Sequence, residues 1–249
     1  MLKLNGDFIV ITSPYYRSAV QDISLDMGDV SVEQAQKARN LGVMFDSVIG
    51  MRPQITNICK CANYYLRCIG SIRKYLTDDS AAQLIHSFVS SRLDYCNSLL
   101  AGLPDVEYAK LQKVHNTAAR IVTRTLKFDH ITPLLVKLHW LPIPLRIEYK
   151  ILLLVFKATH DMAHVYLQEL VPSYKPGRNL RSAYKGQLLE PRINLKTYGE
   201  RAFSAVGPKL WNRLPSDVSL LNDIDSFKRA LKTHLFKMFI DKPGHFIKK

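Results

Sequence analysis

From Arg52 onward the apolar residues of this chain fall three and four positions apart. Ile55, Cys59, Ala62, Leu66, Ile69, Ile72 and Leu76 make one continuous stripe, the spacing of an amphipathic helix with one face toward a core. Thr77-Asp78-Asp79-Ser80 then offers a capping hydroxyl and two first-turn acids, which predict the start of a second helix. Its stripe is Leu84, Ile85, Phe88, Val89, Leu93, Cys96 and Leu100, with Gly102 as its stop. Pro104, Asp105 and Glu107 open a third helix whose buried side is Val114, Ala118, Ile121 and Val122. Short polar turns between the three predict a compact bundle.

The flanks carry weaker patterns. Phe8–Thr12 is a short β-branched run closed by Ser13-Pro14, and Asn40–Asp46 is a second strand candidate. Beyond the third helix, the pattern predicts a short helix over Thr132–Leu138, an apolar one over about Leu145–Met162, and two more over Ala202–Arg213 and Ile224–Phe239. Residues 172–197 are punctuated by Pro172, Pro176, Gly177, Gly186 and Pro191 and predict an irregular basic loop with room for a β-ribbon. The expected fold is mainly α: a small N-terminal β hairpin over 1–50, a three-helix bundle over 51–128, and a helical region over 129–249 containing the basic segment 172–200.

Charge changes this picture. The chain has 249 residues and a formal net charge of +14. Residues 1–50 hold four basic against six acidic side chains, leaving 31 against 15 in the remainder. A basic surplus confined to one part is an electrostatic footprint for a polyanion, or the ordinary surface of a basic protein. Lys110, Lys113, Arg120, Arg124 and Lys127 lie along and after the third helix, where such a row can follow a phosphate backbone. Arg178, Arg181, Lys185 and Arg192, with Tyr174, Tyr184 and Tyr198 among them, add the cation-plus-aromatic mixture of single-strand binders. RNA, DNA or an RNA–DNA hybrid is the expected partner.

Other chemistry has little support. Asp78-Asp79 after Tyr75-Leu76-Thr77 is similar to the aromatic-x-Asp-Asp of polymerases, but the spacing carries one residue too many and the pair sits between two helices, where capping accounts for both acids. His160 and His164 have the i, i+4 spacing of a zinc-binding helix and no evident third ligand. Cys59, Cys61, Cys68 and Cys96 are too few for a disulfide scaffold in a chain this long and are expected to be structural thiols. No nucleophile elbow, phosphate-binding loop or dinucleotide fingerprint occurs. The apolar run Ile151–Phe156 is far too short to span a bilayer and no secretory signal is visible. No membrane association and an intracellular location, nuclear or cytoplasmic, are expected.

Three ordered motifs carry a resemblance. Ser91-Arg-Leu-Asp-Tyr-Cys-Asn97, His130-Ile-Thr-Pro133 with Leu138-His-Trp-Leu-Pro142, and Tyr198-Gly-Glu-Arg-Ala-Phe-Ser-Ala-Val-Gly-Pro-Lys-Leu-Trp-Asn-Arg-Leu-Pro215 occur in this order. Together they resemble the region after the palm in reverse transcriptases of non-LTR (LINE-type, jockey-like) retrotransposons. The resemblance implies that Leu41, Gly42, Val43, Phe45 and Asp46 belong to a primer-grip region, that residues 1–50 are a palm edge, and that the helices from Arg52 to about Thr125 are a thumb that grips a primer–template hybrid. In that family a Leu-Asn-x-x-Lys-Thr-Glu segment ends the palm. Here Leu4-Asn5-Gly6-Asp7 passes straight to Phe8 without the Lys-Thr-Glu. The palm carboxylates and the magnesium they hold in the intact enzyme are therefore expected upstream of Met1, with no cofactor in this chain. The expected function is that of a truncated RNA-directed DNA polymerase retaining nucleic-acid binding. The alternative is a non-catalytic retroelement remnant serving as a structural or protein-interaction module. Trp140 and Trp211, among apolar neighbours, are expected to anchor packing.

Overall fold

The computed structural model describes residues 8–12, 16, 20, 23–27, 30–174, 186–194 and 196–246. It is mostly helical, with two small antiparallel sheets at the N-terminal side. β1 (Ser24–Met27) pairs with β2 (Val30–Glu33), Ser24 opposite Glu33. β3 (Lys37–Asn40) pairs with β4 (Val43–Asp46), Lys37 opposite Asp46. The single strand expected over Asn40–Asp46 is in fact a hairpin corner plus one strand. Leu41 and Gly42 form the two-residue turn with φ of 46° and 82°, the pair of positive values that matches the twist of a tight hairpin. The strand expected over Phe8–Thr12 reduces to one bridge, Phe8 to Gln34. Its backbone is otherwise held at the two ends only, by Ala35 N donating to Phe8 O at 2.9 Å and Thr12 N donating to Ser47 O at 3.3 Å, which is too little pairing to make a strand.

Helix α1 (Arg52–Ile72) buries Ile55, Ile58, Ala62, Leu66 and Ile69, with Pro53 in its first turn where the missing N–H costs nothing. It stops before Leu76 because Arg73–Tyr75 tighten into a 3₁₀ turn. Thr77 caps α2 (Asp78–Ile85) as expected, its hydroxyl accepting from Ser80 N at 3.1 Å. The second helix does not run to Leu100. A π-turn at His86–Ser90 leads into α3 (Ser91–Asp94), Cys96 takes a φ of 52°, and Asn97–Leu100 form a 3₁₀ turn. The break has a tertiary cause: Asp94 is held by the Arg146 guanidinium, and the Tyr95 hydroxyl donates to Leu41 O at 2.6 Å.

Next come α4 (Asp105–Thr123), α5 (Ile131–Lys137), α6 (Ile143–Thr159) and α7 (Val165–Gln168). After the bridge Ser173–Leu188 follow α8 (Lys196–Gly199), α9 (Phe203–Trp211), α10 (Ser216–Ser219), α11 (Ile224–Asp241) and α12 (Pro243–Phe246). Helix α6 ends at Thr159, not near Met162, so His160 and His164 do not share a helix face. His160 caps α6 through Nδ1 at 2.9 Å from Phe156 O, Asp161 turns at φ 56°, and His164 precedes α7.

α1 packs on α4, and α6 packs on α9 and α11. Their buried side chains form one contiguous cluster from Val43 to Phe239. Trp140 and Trp211 are buried in it as expected, at 5% and 4% exposure. Gly207 of α9 lies where a Cβ would come within 2.9 Å of Val155 on α6, so the Gly-Pro pair inside α9 lets two helices approach closely. The four cysteines are free, and the buried structural thiols expected from the sequence are only half-buried at Cys59, Cys61 and Cys96 and exposed at Cys68.

Two buried polar groups set testable energetics. Arg73 donates to Ile121 O, Val122 O and Leu76 O, each at 2.7 Å, and pairs with Asp78. It thereby satisfies carbonyls at the end of α4 and cations suit such ends. Arg73→Ala is expected to lower unfolding stability by about 2–4 kcal/mol in urea titration, because each orphaned buried carbonyl costs about 1–3 kcal/mol. His115 is fully buried with neither ring nitrogen partnered, and its ring lies 5.4 Å from Trp140. Burial first, then the nearby Arg146 and His86 charges, push its pKa from 6.5 down to about 3. The unfolded chain therefore binds a proton that the folded chain refuses in this window, so stability falls as pH drops below 6.5. The limiting slope is about 1.4 kcal/mol per pH unit, and His115→Leu is expected to remove it from urea titrations between pH 4 and 6.

Candidate nucleic-acid interface

The turn after β4 begins the site. Asp46 Oδ1 accepts from Met51 N at 3.1 Å, and Gln54 Oε1 accepts from Met44 N at 3.0 Å. Both bonds fasten the β3–β4 hairpin to the first turn of α1. The same Asp46 carboxylate serves as a helix cap where Met51 itself, at φ 57°, supplies none. Val43 is buried, Phe45 packs against the core, and Leu41 stands exposed at the hairpin tip.

A second clasp comes from the other end of the chain. Arg201, between α8 and α9, donates through Nε to Ala101 O at 3.1 Å and through Nη1 to Ile49 O at 2.9 Å. Its side chain passes over Gly102, where a Cβ would stand 2.6 Å from Arg201 Cγ, and where φ is +67°. Only glycine combines that conformation with that space. Behind the clasp, the Tyr108 hydroxyl donates to Leu100 O at 2.7 Å and accepts from Leu103 N at 3.2 Å.

These fastenings leave a cleft of about 1360 Å³ between the hairpin, α1, the 102–104 turn and α9. Lys37 and Arg39 line it from β3, and Arg52 and Lys60 from α1. Arg201, Lys209 and Arg213 line the opposite side. Three acids also line it: Asp46, Glu107 and Glu200. Two of them are already engaged by the protein. Asp46 accepts the Met51 N–H, while the buried Glu107 pairs with Lys110 at 2.9 Å and with Arg52 at 3.4 Å. The cleft is thus cationic, and Lys37, Arg39, Lys60, Lys209 and Arg213 are exposed.

The positions singled out in the sequence distribute differently. Among the primer-grip-like residues, Asp46 lines the cleft and Leu41, Gly42, Val43 and Phe45 build the hairpin that borders it. Lys110 is spent on Glu107. Arg120 donates to Asp129 O at 3.2 Å, and Arg124 donates to Leu76 O at 2.7 Å and lies 3.9 Å from Asp78. Lys113, Lys127 and Arg192 are exposed and are not in the cleft lining. Arg178, Arg181, Lys185 and Tyr184 lie outside the described residues. Tyr174 is exposed, and the Tyr198 hydroxyl, at the cleft edge, donates to Thr12 O at 3.1 Å.

The motif Trp211-Asn212 has a structural role. Trp211 Nε1 donates to Gly186 O at 3.0 Å, and the Asn212 amide exchanges two hydrogen bonds with the Leu188 backbone. Sequence reasoning missed the cleft cations because Lys37, Arg39, Arg52 and Lys60 meet Arg201, Lys209 and Arg213, which come more than a hundred residues later in the chain. Their only local signal was that α1 contains no acidic residue.

Metal chemistry finds no ligand set here. Among the described residues no group of three or more His, Cys, Asp or Glu side chains is placed to hold a metal ion. Asp78 pairs with Arg73, whose hydrogen bond holds the carboxyl below its usual range. Burial pushes the Cys59 thiol up, away from reactivity. Among the described residues no helix is long and apolar enough to cross a membrane.

Gly102→Ala is the sharp test of the clasp. The strained φ costs about 1–2 kcal/mol, and the added carbon displaces Arg201. A loss of stability of at least that size is expected by thermal unfolding, together with faster proteolysis between α8 and α9. No protein-family model matches this chain, and no curated protein or solved structure is detectably similar to it, so the chemistry of the cleft rests on its own residues.

Proposed function

We propose that this chain is the part of a non-LTR retrotransposon reverse transcriptase that follows the palm, and that its cleft grips the sugar-phosphate backbone of a primer–template hybrid. The observation that carries the reading is the cleft itself, where cations from the hairpin, α1 and α9 converge while Asp46 and Glu107 are occupied by internal partners. Exposed Lys and Arg side chains at a concave surface replace the counterions condensed on phosphates. The order of motifs from Ser91 to Pro215 supports the family, and the hairpin placed against the first helix of the bundle agrees with a primer grip beside a thumb. Binding of this kind reads backbone and not bases, so it is independent of sequence.

Fluorescence anisotropy with a labelled RNA–DNA hybrid tests the reading. Log affinity is expected to fall linearly with log salt, with a slope of about −4 for roughly four to five phosphate contacts. The double variant Lys209→Glu/Arg213→Glu is expected to weaken binding and reduce the slope by about 2. Charge reversal at Lys113 and Lys127, outside the cleft, is expected to leave the slope within about 0.5 of the original. Binding that ignores both salt and the cleft variant would refute the proposal and favour a structural or protein-interaction role. In this reading the chain alone extends no primer.

A further inference from the structure

The wall that α1 gives to the cleft does not end where the cleft does. Pro53, Thr56, Asn57 and Lys60 face the cavity. Continuing at steps of three and four residues, Tyr64, Arg67 and Ser71 occupy the same side of the helix, and all three are exposed. From Pro53 to Ser71 this face is about 27 Å long at the rise of an α-helix. No Asp or Glu occurs between Arg52 and Leu76, while Lys60, Arg67 and Lys74 stand exposed along that stretch. A solvated face usually mixes both signs. This one does not.

Beside it stands a partly exposed aromatic cluster, of which only Tyr65 packs against the core. Tyr64, 56% exposed, meets Tyr65 edge-on with ring centroids 5.3 Å apart. Tyr65 stacks on Phe88 at 5.0 Å, and the Arg92 guanidinium lies 5.1 Å above the Tyr65 ring. Phe88 belongs to the π-turn His86–Ser90 and remains 41% exposed, while its neighbours Ile85 and Val89 are fully buried. The extra residue of the π-turn thus keeps the buried pair in the core and leaves the Phe88 ring out against Tyr65. Such turns occur frequently at functional sites. Exposed rings interleaved with Arg and Lys are the surface that unpaired nucleic acid uses, because every base has a π-face and every linkage a phosphate.

We propose that this face of α1 carries an unpaired polynucleotide strand continuing out of the cleft, with bases stacked on Tyr64 and on the Tyr65–Phe88 pair and phosphates against Lys60, Arg67 and Arg92. The proposal rests on the cleft reading for the route of the strand and differs from it in ligand, which is single-stranded. A protein occupant would need its own acidic surface to meet this run of cations, and would have no use for the order of ring and charge along it. The polyanion with flat bases fits both.

Anisotropy with three labelled probes decides it: a blunt duplex, the same duplex carrying an oligo-dT tail, and the oligo-dT alone. The unaltered chain is expected to bind the tailed duplex more tightly than the blunt one. Tyr64→Ala is expected to weaken tailed duplex and oligo-dT by about tenfold, the size of one lost base–aromatic stack, and to leave the blunt duplex within about twofold. Tyr64→Phe is expected to retain binding, and Arg67→Glu to weaken the tailed probe with a shallower salt slope. Because Tyr64 and Arg67 are exposed, these variants are expected to keep the far-ultraviolet circular dichroism of the parent. Equal losses on blunt and tailed duplex, or no loss with Tyr64→Ala, would overturn the proposal. Blunt-duplex binding to which a tail adds nothing would sink this inference and leave the cleft standing. Tyr64-dependent binding of oligo-dT without any binding of blunt duplex would do the reverse.

Discussion

One helix has to satisfy two surfaces at once, and the rest of the molecule is arranged around that demand. The 21 residues of α1 bury Ile55, Ile58, Ala62, Leu66 and Ile69 on one side. The other side presents mainly polar, aromatic and cationic groups, with no acid among them. Burying the apolar stripe needs α4 and the α2–π–α3 segment on the inner face, and those elements leave the outer face to the hairpin, α9 and solvent. The core and the candidate interface are therefore two faces of the same helix. A substitution that tilts α1 would change both.

Position in the cleft is set by small numbers of directed bonds, while the core supplies the bulk of the attraction. The Asp46 and Gln54 side chains bind the hairpin to α1, and Arg201 binds the 49 and 101 carbonyls to the C-terminal helices. Apolar burial is nondirectional and cannot specify where Lys209 stands relative to Lys37. Hydrogen bonds to main-chain groups can. The cavity is cationic because its Lys and Arg side chains outnumber its three carboxylates, two of which, Asp46 and Glu107, already have partners within the protein.

The buried polar groups divide into two kinds. Arg73 and Arg146 have their hydrogen-bonding capacity used by helix-end carbonyls and by Asp94, so each converts a potential cost into a fixed junction between elements. His115 and the Asn97 Oδ1 are buried with no partner, and each is a standing cost in the native state. The His86, His115 and Trp140 rings lie close together beside this region. Acid therefore lowers the stability of the chain through His115, where α4 meets the Trp140 ring.

The amino-acid sequence by itself determined the mainly helical fold, the cap at Thr77, most of the stripes of α1 and α4 (Ile72, at the end of α1, is 44% exposed), and the burial of Trp140 and Trp211. These are local: a 3.6-residue period, a side chain reaching three residues ahead, or a large apolar ring is legible wherever it stands. Tertiary structure alone decided where the second helix breaks, because Asp94 and Tyr95 answer to Arg146 and Leu41. It also parted His160 from His164, since Asp161 turns the chain between them. Most of all, it chose which cations act together. Lys110, Arg120 and Arg124 lie on or at the end of one helix yet are taken up by Glu107, Asp129 and Leu76. Lys37, Lys60 and Arg213 are far apart in the chain and meet across one cavity. A charge has no period and reaches through space, so its partners follow from the packed core and not from its neighbours in sequence.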